Sequence, residues 1–119
     1  MAEESELEKK RRLLVAAVMR EMAKLIEEKI PESGSFERRY FYFDFPGYDH
    51  TGMLSIQYIE RHGCSLRASV VVRGTDMAVS HYLISGSKQE CIDWLREESH
   101  LRTLLDSYLT LSESADDKA

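Results

Sequence analysis

Three turn signals cut the middle of this chain into four runs of strand length and leave room between them for little more than a reversal of direction. Gly74-Thr75 separates ASVVVR from MAVSHYL. Arg61-His62-Gly63 separates LSIQYIE from CSLRAS, and the longer PGYDHTG, from Pro46 to Gly52, separates RRYFYFDF from LSIQYIE. A parallel neighbour would need a crossover of about a dozen residues or more, so the spacing predicts an antiparallel meander of four strands.

The turns also predict a register. A two-residue loop with Gly74 first suits a type II′ hairpin and sets Val72 against Met77, Val70 against Val79, Ala68 against His81 and Leu66 against Leu83. A three-residue loop with Gly63 in the left-handed region sets Tyr58 against Leu66, Ile56 against Ala68 and Leu54 against Val70. Taking His62-Gly63 as a two-residue turn instead would flip the strand and bury Ser55 and Gln57. For the first hairpin, placing Phe45 opposite Leu54 keeps Phe41, Phe43 and Phe45 on the side of Leu54, Ile56 and Tyr58. That side is the expected core.

The other side is then expected to carry Tyr42, Gln57, Arg67 and Tyr82 in one row, with Tyr40, Ile59, Ser65 and Ile84 to one side of it and Asp44, Ser55, Ser69 and Ser80 to the other. Val71 and Arg73 extend it along the third strand. Tyr and Arg are enriched at interfaces and Lys and Glu depleted, so Tyr40, Tyr42, Gln57, Ile59, Arg67, Arg73 and Tyr82 form the candidate binding surface. The plain alternative is a wet outer face with Arg67 stacked on Tyr82.

Helices flank the strand block. From about Ser5 to Ile30 apolar residues recur along one arc, with Leu7, Leu14, Val15, Val18, Met19, Met22, Leu25, Ile26 and Ile30 together, and Pro31 stops the pattern before Gly34 in the next loop. Such a helix is about 40 Å long, against a radius of gyration of roughly 13.5 Å for a domain of this size, so its first turns are expected to fray, overhang or lie on a partner. The basic run from Lys9 to Arg12 has Glu6 and Glu8 four residues ahead of Lys10 and Arg12, which reads as a salt-bridged solvated face. After the last strand, Ser87 to Glu90 is a capping box. The apolar arc of Cys91, Ile92 and Leu95 falls out of phase with Leu101, Leu104, Leu105 and Tyr108, which predicts a break near Glu98 to His100 and a second helix ending about Ser112. The expected fold is α+β: a long N-terminal helix, a four-stranded antiparallel meander and two short C-terminal helices on one face of the sheet. Residues 1–119 are expected to form a single domain, with 1–8 frayed and 113–119 a disordered tail.

A net charge of −5 argues against general affinity for nucleic acid or anionic membrane. Cys64 and Cys91 stand in no zinc-ligand spacing, and no metal or cofactor is expected. With no signal-like h-region and no apolar run long enough to span a bilayer, the expected location is cytoplasmic. The string Asp49-His50-Thr51 could suggest acid–base chemistry but reads as a turn. His81 falls on the core face as a buried histidine, His62 in a loop and His100 at a helix junction; no nucleophile is set beside any of them. The expected function is that of a small non-enzymatic interaction protein. It is expected to be a homodimer or to hold another protein, with the Tyr/Arg face or the N-terminal helix as interface. An alternative is single-stranded nucleic-acid binding, with Tyr40, Tyr42 and Tyr82 stacking bases and Arg38, Arg61, Arg67 and Arg73 meeting phosphates. In size and acidity the chain also resembles small secretion-type chaperones. Their fold carries a helix between the third and fourth strands, for which Gly74-Thr75 leaves no room.

Overall fold

A computed structural model describes residues 3–30 and 36–119. The order is α1 (Glu6–Lys29), β1 (Phe36–Asp44), β2 (Thr51–Ile59), β3 (Gly63–Val71), β4 (Ala78–Gly86), α2 (Lys88–Arg96) and α3 (His100–Lys118). The sheet is an antiparallel meander in the order β1-β2-β3-β4. The α+β fold read from the turns is the one observed. Pro31 and Gly34, the expected helix stop and loop, lie outside the described residues. No described helix is long and apolar enough to cross a membrane.

Both capping boxes form, one of them unanticipated. Ser87 Oγ accepts the Glu90 amide and the Glu90 carboxylate accepts the Ser87 amide, starting α2 where expected. Ser5 and Glu8 do the same for α1, and Glu4 accepts two bonds from the Arg12 guanidinium, so the segment expected to fray is capped and ion-paired. Arg11 donates to the Pro46 carbonyl at 2.8 Å and its guanidinium lies over the rings of Phe45 and Tyr48. The first half of α1 is therefore fastened to the β1–β2 loop.

The core lies between the helices and one face of the sheet. Val15, Met19, Met22, Ile26 and Ile30 come from α1 and its end, Leu54, Ile56, Leu66, Ala68 and Val70 from the central strands, and Cys91, Leu95, Leu104, Tyr108 and Leu111 from α2 and α3. Phe41 and Phe43 are half-buried against this cluster and Phe45 is buried, as the aromatic alternation of β1 requires. The expected tail is instead the end of α3, which runs to Lys118 because Ala115 is buried and Asp116 is bonded to His50. At 19 residues α3 is not short.

Each expected face survives except at Ile84, but two registers shift. Tyr58 faces Cys64 rather than Leu66, because the loop is Glu60-Arg61-His62 and starts one residue early. Arg61 takes a φ of 75° there. Gly63, with φ 82°, instead opens β3, where its backbone presses on Gly86: a Cβ would sit 2.5 Å from the Gly86 carbonyl oxygen. In the first hairpin Phe41, not Phe45, faces Leu54, a shift of four residues that puts Phe43 opposite Gly52, the position with room for its ring. The β3–β4 register is as expected from Val72–Met77 to Arg67–Tyr82. Its turn differs: Thr75 N–H bonds the Val72 carbonyl and Gly74 sits third in that turn with φ 77°, so the reversal pivots on Arg73-Gly74 and the type II′ loop does not form. A bulge then leaves Leu83 unpaired and sets Ile84 opposite Leu66.

Candidate functional site

The side of the sheet away from the helices is built by β-alternation, and the even shifts in register among β1, β2 and β3 rearrange its rows without changing the members those strands supply. Tyr40, Ser55, Arg67 and Tyr82 share one row, and Tyr42, Met53, Ser69 and Ser80 the next. Tyr42 and Gln57, expected beside each other, are separated: Gln57 pairs with Arg38 and Ser65, and accepts a 2.9 Å bond from the Arg38 guanidinium. Ile59 lies at the sheet end opposite Gly63. Ile84 leaves this face altogether, since the bulge at Leu83 turns it onto the core side, where it packs half-buried; Ser85 takes its place opposite Ser65.

Three rings stand in water. Tyr40 is 48% exposed, Tyr42 59% and Tyr82 73%. Tyr40 and Tyr42 meet edge to face with centroids 5.0 Å apart, and the Arg67 guanidinium lies 5.8 Å over the Tyr82 ring, holding that cation on the sheet surface. Ser69 and Ser80 share a 2.8 Å hydroxyl bond across the strands. Arg73 is drawn off to the hairpin end, where it pairs with Asp49 at 3.1 Å with both side chains mostly exposed. Met53 is the member that sequence reading passed over; continuing the alternation from Ile59, Gln57 and Ser55 by one more step places it.

The histidines do other work. His50, expected in an open turn, is 3% exposed. Its Nδ1 accepts the Arg73 amide at 2.9 Å, so its Nε2–H is the proton donated to Asp116 at 2.6 Å. That ring clasps the β1–β2 loop, the β3–β4 turn and the end of α3, with both nitrogens engaged. His81 faces the helix side opposite Ala68 as expected but is exposed, not buried, because β4 is the outermost strand and the helical layer does not reach over it there. His62 is exposed in its loop. His100 stacks on Trp94 at 4.3 Å with Nδ1 on the Trp94 carbonyl. Cys64 and Cys91 are free, buried thiols whose titration burial pushes upward, that of Cys91 to about 12. No group of three or more His, Cys, Asp or Glu among the described residues is arranged to hold a metal ion.

No protein-family model matches the chain, and neither a curated protein nor a solved structure is similar enough to match it. Any reading of function therefore rests on the geometry of the chain itself.

Proposed function

We propose that this is a non-enzymatic interaction protein that works as a homodimer and presents the open Tyr/Arg face of its sheet to a protein partner. The observation that carries the proposal is the trio of Tyr40, Tyr42 and Tyr82, 48–73% exposed on a face that no helix covers. Around them lie Arg67, Met53, Gln57 and a line of serines, and Lys and Glu are missing from the rows they share. Rigid aromatic rings with Arg and Met, and without Lys or Glu, are the residues that interfaces favour, since they bury large areas at small entropic cost. The N-terminal helix is the poorer interface, because from Val15 onward its apolar arc is committed to the core and Arg11 and Arg12 are engaged at its start. Nucleic acid is disfavoured by charge: the face holds Arg38 and Arg67 against Asp44, in a chain of net charge −5.

Light scattering on a sizing column, across a hundredfold concentration range, tests the homodimer; a monomer at every concentration refutes it. Capture of partners from an extract of the source cells tests the face. The Tyr40→Ala/Tyr42→Ala/Tyr82→Ala variant should lose bands that the unaltered protein holds, and identical capture by both would show that the face is idle.

A further inference from the structure

The two edges of the sheet are defended very differently. The β1 edge carries Glu37, Arg38, Arg39 and Asp44, charges of the kind that keep a strand from pairing with a foreign one. The β4 edge is nine residues, AVSHYLISG, without one Lys, Arg, Asp, Glu or Pro. It is the last strand of the sheet, and no described backbone group pairs with its outer side. Large apolar side chains are exposed along it: Tyr82 at 73%, and Met77, just before the strand, at 56%.

We propose that two copies of this chain join through this edge, β4 running antiparallel to β4 about a two-fold axis at Ser80. The proposal rests on the homodimer suggested above and names its seam. The register follows from the hydrogen bonding. Met77 gives its carbonyl to the Val72 amide at 2.8 Å, so alternation turns the backbone groups of Met77, Val79 and His81 toward β3 and those of Ala78, Ser80 and Tyr82 outward. Beyond Tyr82 the bulge at Leu83 breaks the phase. The regular outward-facing stretch thus runs from Ala78 to Tyr82 and is symmetric about Ser80. Pairing Ser80 with Ser80 and Ala78 with Tyr82 uses every one of its outward amides and carbonyls, for about six hydrogen bonds across the seam. No other centre does so without entering the bulge.

The side chains fit the same centre. The large Tyr82 ring meets the small Ala78 of the other copy. The Ser69–Ser80 hydroxyl pair meets its own image, giving a ladder of four serines across two subunits. On the helix side, Leu83 of one copy comes opposite Met77 of the other. No charge is repeated across the axis, because β4 has none. A two-fold of this kind leaves both Tyr/Arg faces on the same side of one continuous eight-stranded sheet and uncovered, so a partner protein meets a doubled platform.

The test places charges on the axis. Ser80 is exposed, so Ser80→Lys and Ser80→Asp leave the apolar core in place and lose only the hydroxyl bond to Ser69, and far-UV circular dichroism checks that each folds. By light scattering, each variant alone should be monomeric where the unaltered protein is dimeric, and an equimolar mixture of the two should dimerise again, since opposite charges then face each other only across the seam. Independently of any substitution, amide exchange at Ala78, Ser80 and Tyr82 should slow with rising concentration of the unaltered protein. A dimer that tolerates Ser80→Lys, with exchange at those amides independent of concentration, overturns the seam and leaves the homodimer standing. An unaltered protein that is monomeric throughout overturns both.

Discussion

Gly52→Ala tests the alignment of the first hairpin. Gly52 lies opposite Phe43, and a methyl group built on it would come within 2.5 Å of Phe43 Cε2 and 2.8 Å of Cζ. The ring is held from its other side by Tyr108, edge-on with centroids 5.0 Å apart, and Tyr108 is itself fully buried with its hydroxyl on the Met53 carbonyl. Replacing Gly by Ala removes unfolded-state freedom worth about 0.4–1 kcal/mol. Forcing a methyl group into packed space costs about 1–3 kcal/mol. The net expected loss is therefore about 0.5–2 kcal/mol. Phe43→Ala alone would cost about 3–5 kcal/mol for a fully buried ring, and the half-exposed ring here should cost about 2–3 kcal/mol. In the double variant the new methyl group enters space the ring has left, so the losses should fall short of their sum by about 1–2 kcal/mol. Urea unfolding followed by the fluorescence of Trp94, the sole tryptophan, reads each value. With a slope of about 1–3 kcal/mol per molar urea, a loss of 1.5 kcal/mol moves the midpoint by roughly 0.5–1.5 M. Strict additivity would mean that Phe43 does not lie over Gly52 and that this pairing of β1 with β2 is wrong.

Tyr42→Ala, on the open face, should cost under about 1 kcal/mol in the same assay, and a loss as large as that of Phe43→Ala would show that both faces of the sheet are buried. Arg61→Gly should stabilise by about 0.5–1 kcal/mol, since Gly relieves the cost of a positive φ at the expense of some chain entropy, whereas Gly63→Ala should destabilise by more than about 2 kcal/mol because strain and the Gly86 carbonyl act together; thermal melts of both variants check the opposite signs. Deleting residues 113–119 removes the buried Ala115 and the Asp116 partner of His50, and should cost about 2 kcal/mol or more; an unchanged melting temperature would mean that the end of α3 adds nothing. The Cys91 thiol, raised to about 12 by burial, and Tyr108, raised well above its usual value for the same reason, both favour their neutral forms in the folded state. Their stabilisation is complete below the ordinary thiol range and is lost as pH climbs from about 9 toward 12, so urea midpoints should fall steadily over that window. A midpoint that holds level there would contradict the burial of both groups.

What could be read from the sequence separates along a physical line. The identity of each face of the sheet depends only on odd and even positions, so shifts of two and four residues left Tyr40, Tyr42, Gln57, Arg67 and Tyr82 on the outer side even as their neighbours changed. The neighbours depend on where each turn begins. Gly63 does take the positive φ expected of it, 82°, but Arg61 takes one as well, 75°, and the loop begins one residue earlier than glycine alone would place it. The bulge at Leu83 has no glycine or proline to announce it, and with it went the placement of Ile84. His81 failed for a different reason: strand parity assigns a side, but burial on that side depends on how far the helices extend, which is tertiary. The end of α3 was legible in principle, since Leu104, Tyr108, Leu111 and Ala115 keep helical spacing, and its polar composition outweighed that pattern. The same distinction bears on the two proposals. The Tyr/Arg face is a matter of parity and would survive any further even shift of register, whereas the seam at Ser80 depends on the phase of β4 between the turn and the bulge. A one-residue change in that phase would turn Val79 and His81 outward instead and move the two-fold axis off Ser80, so concentration-dependent protection at Ser80 tests the fold and the interface together.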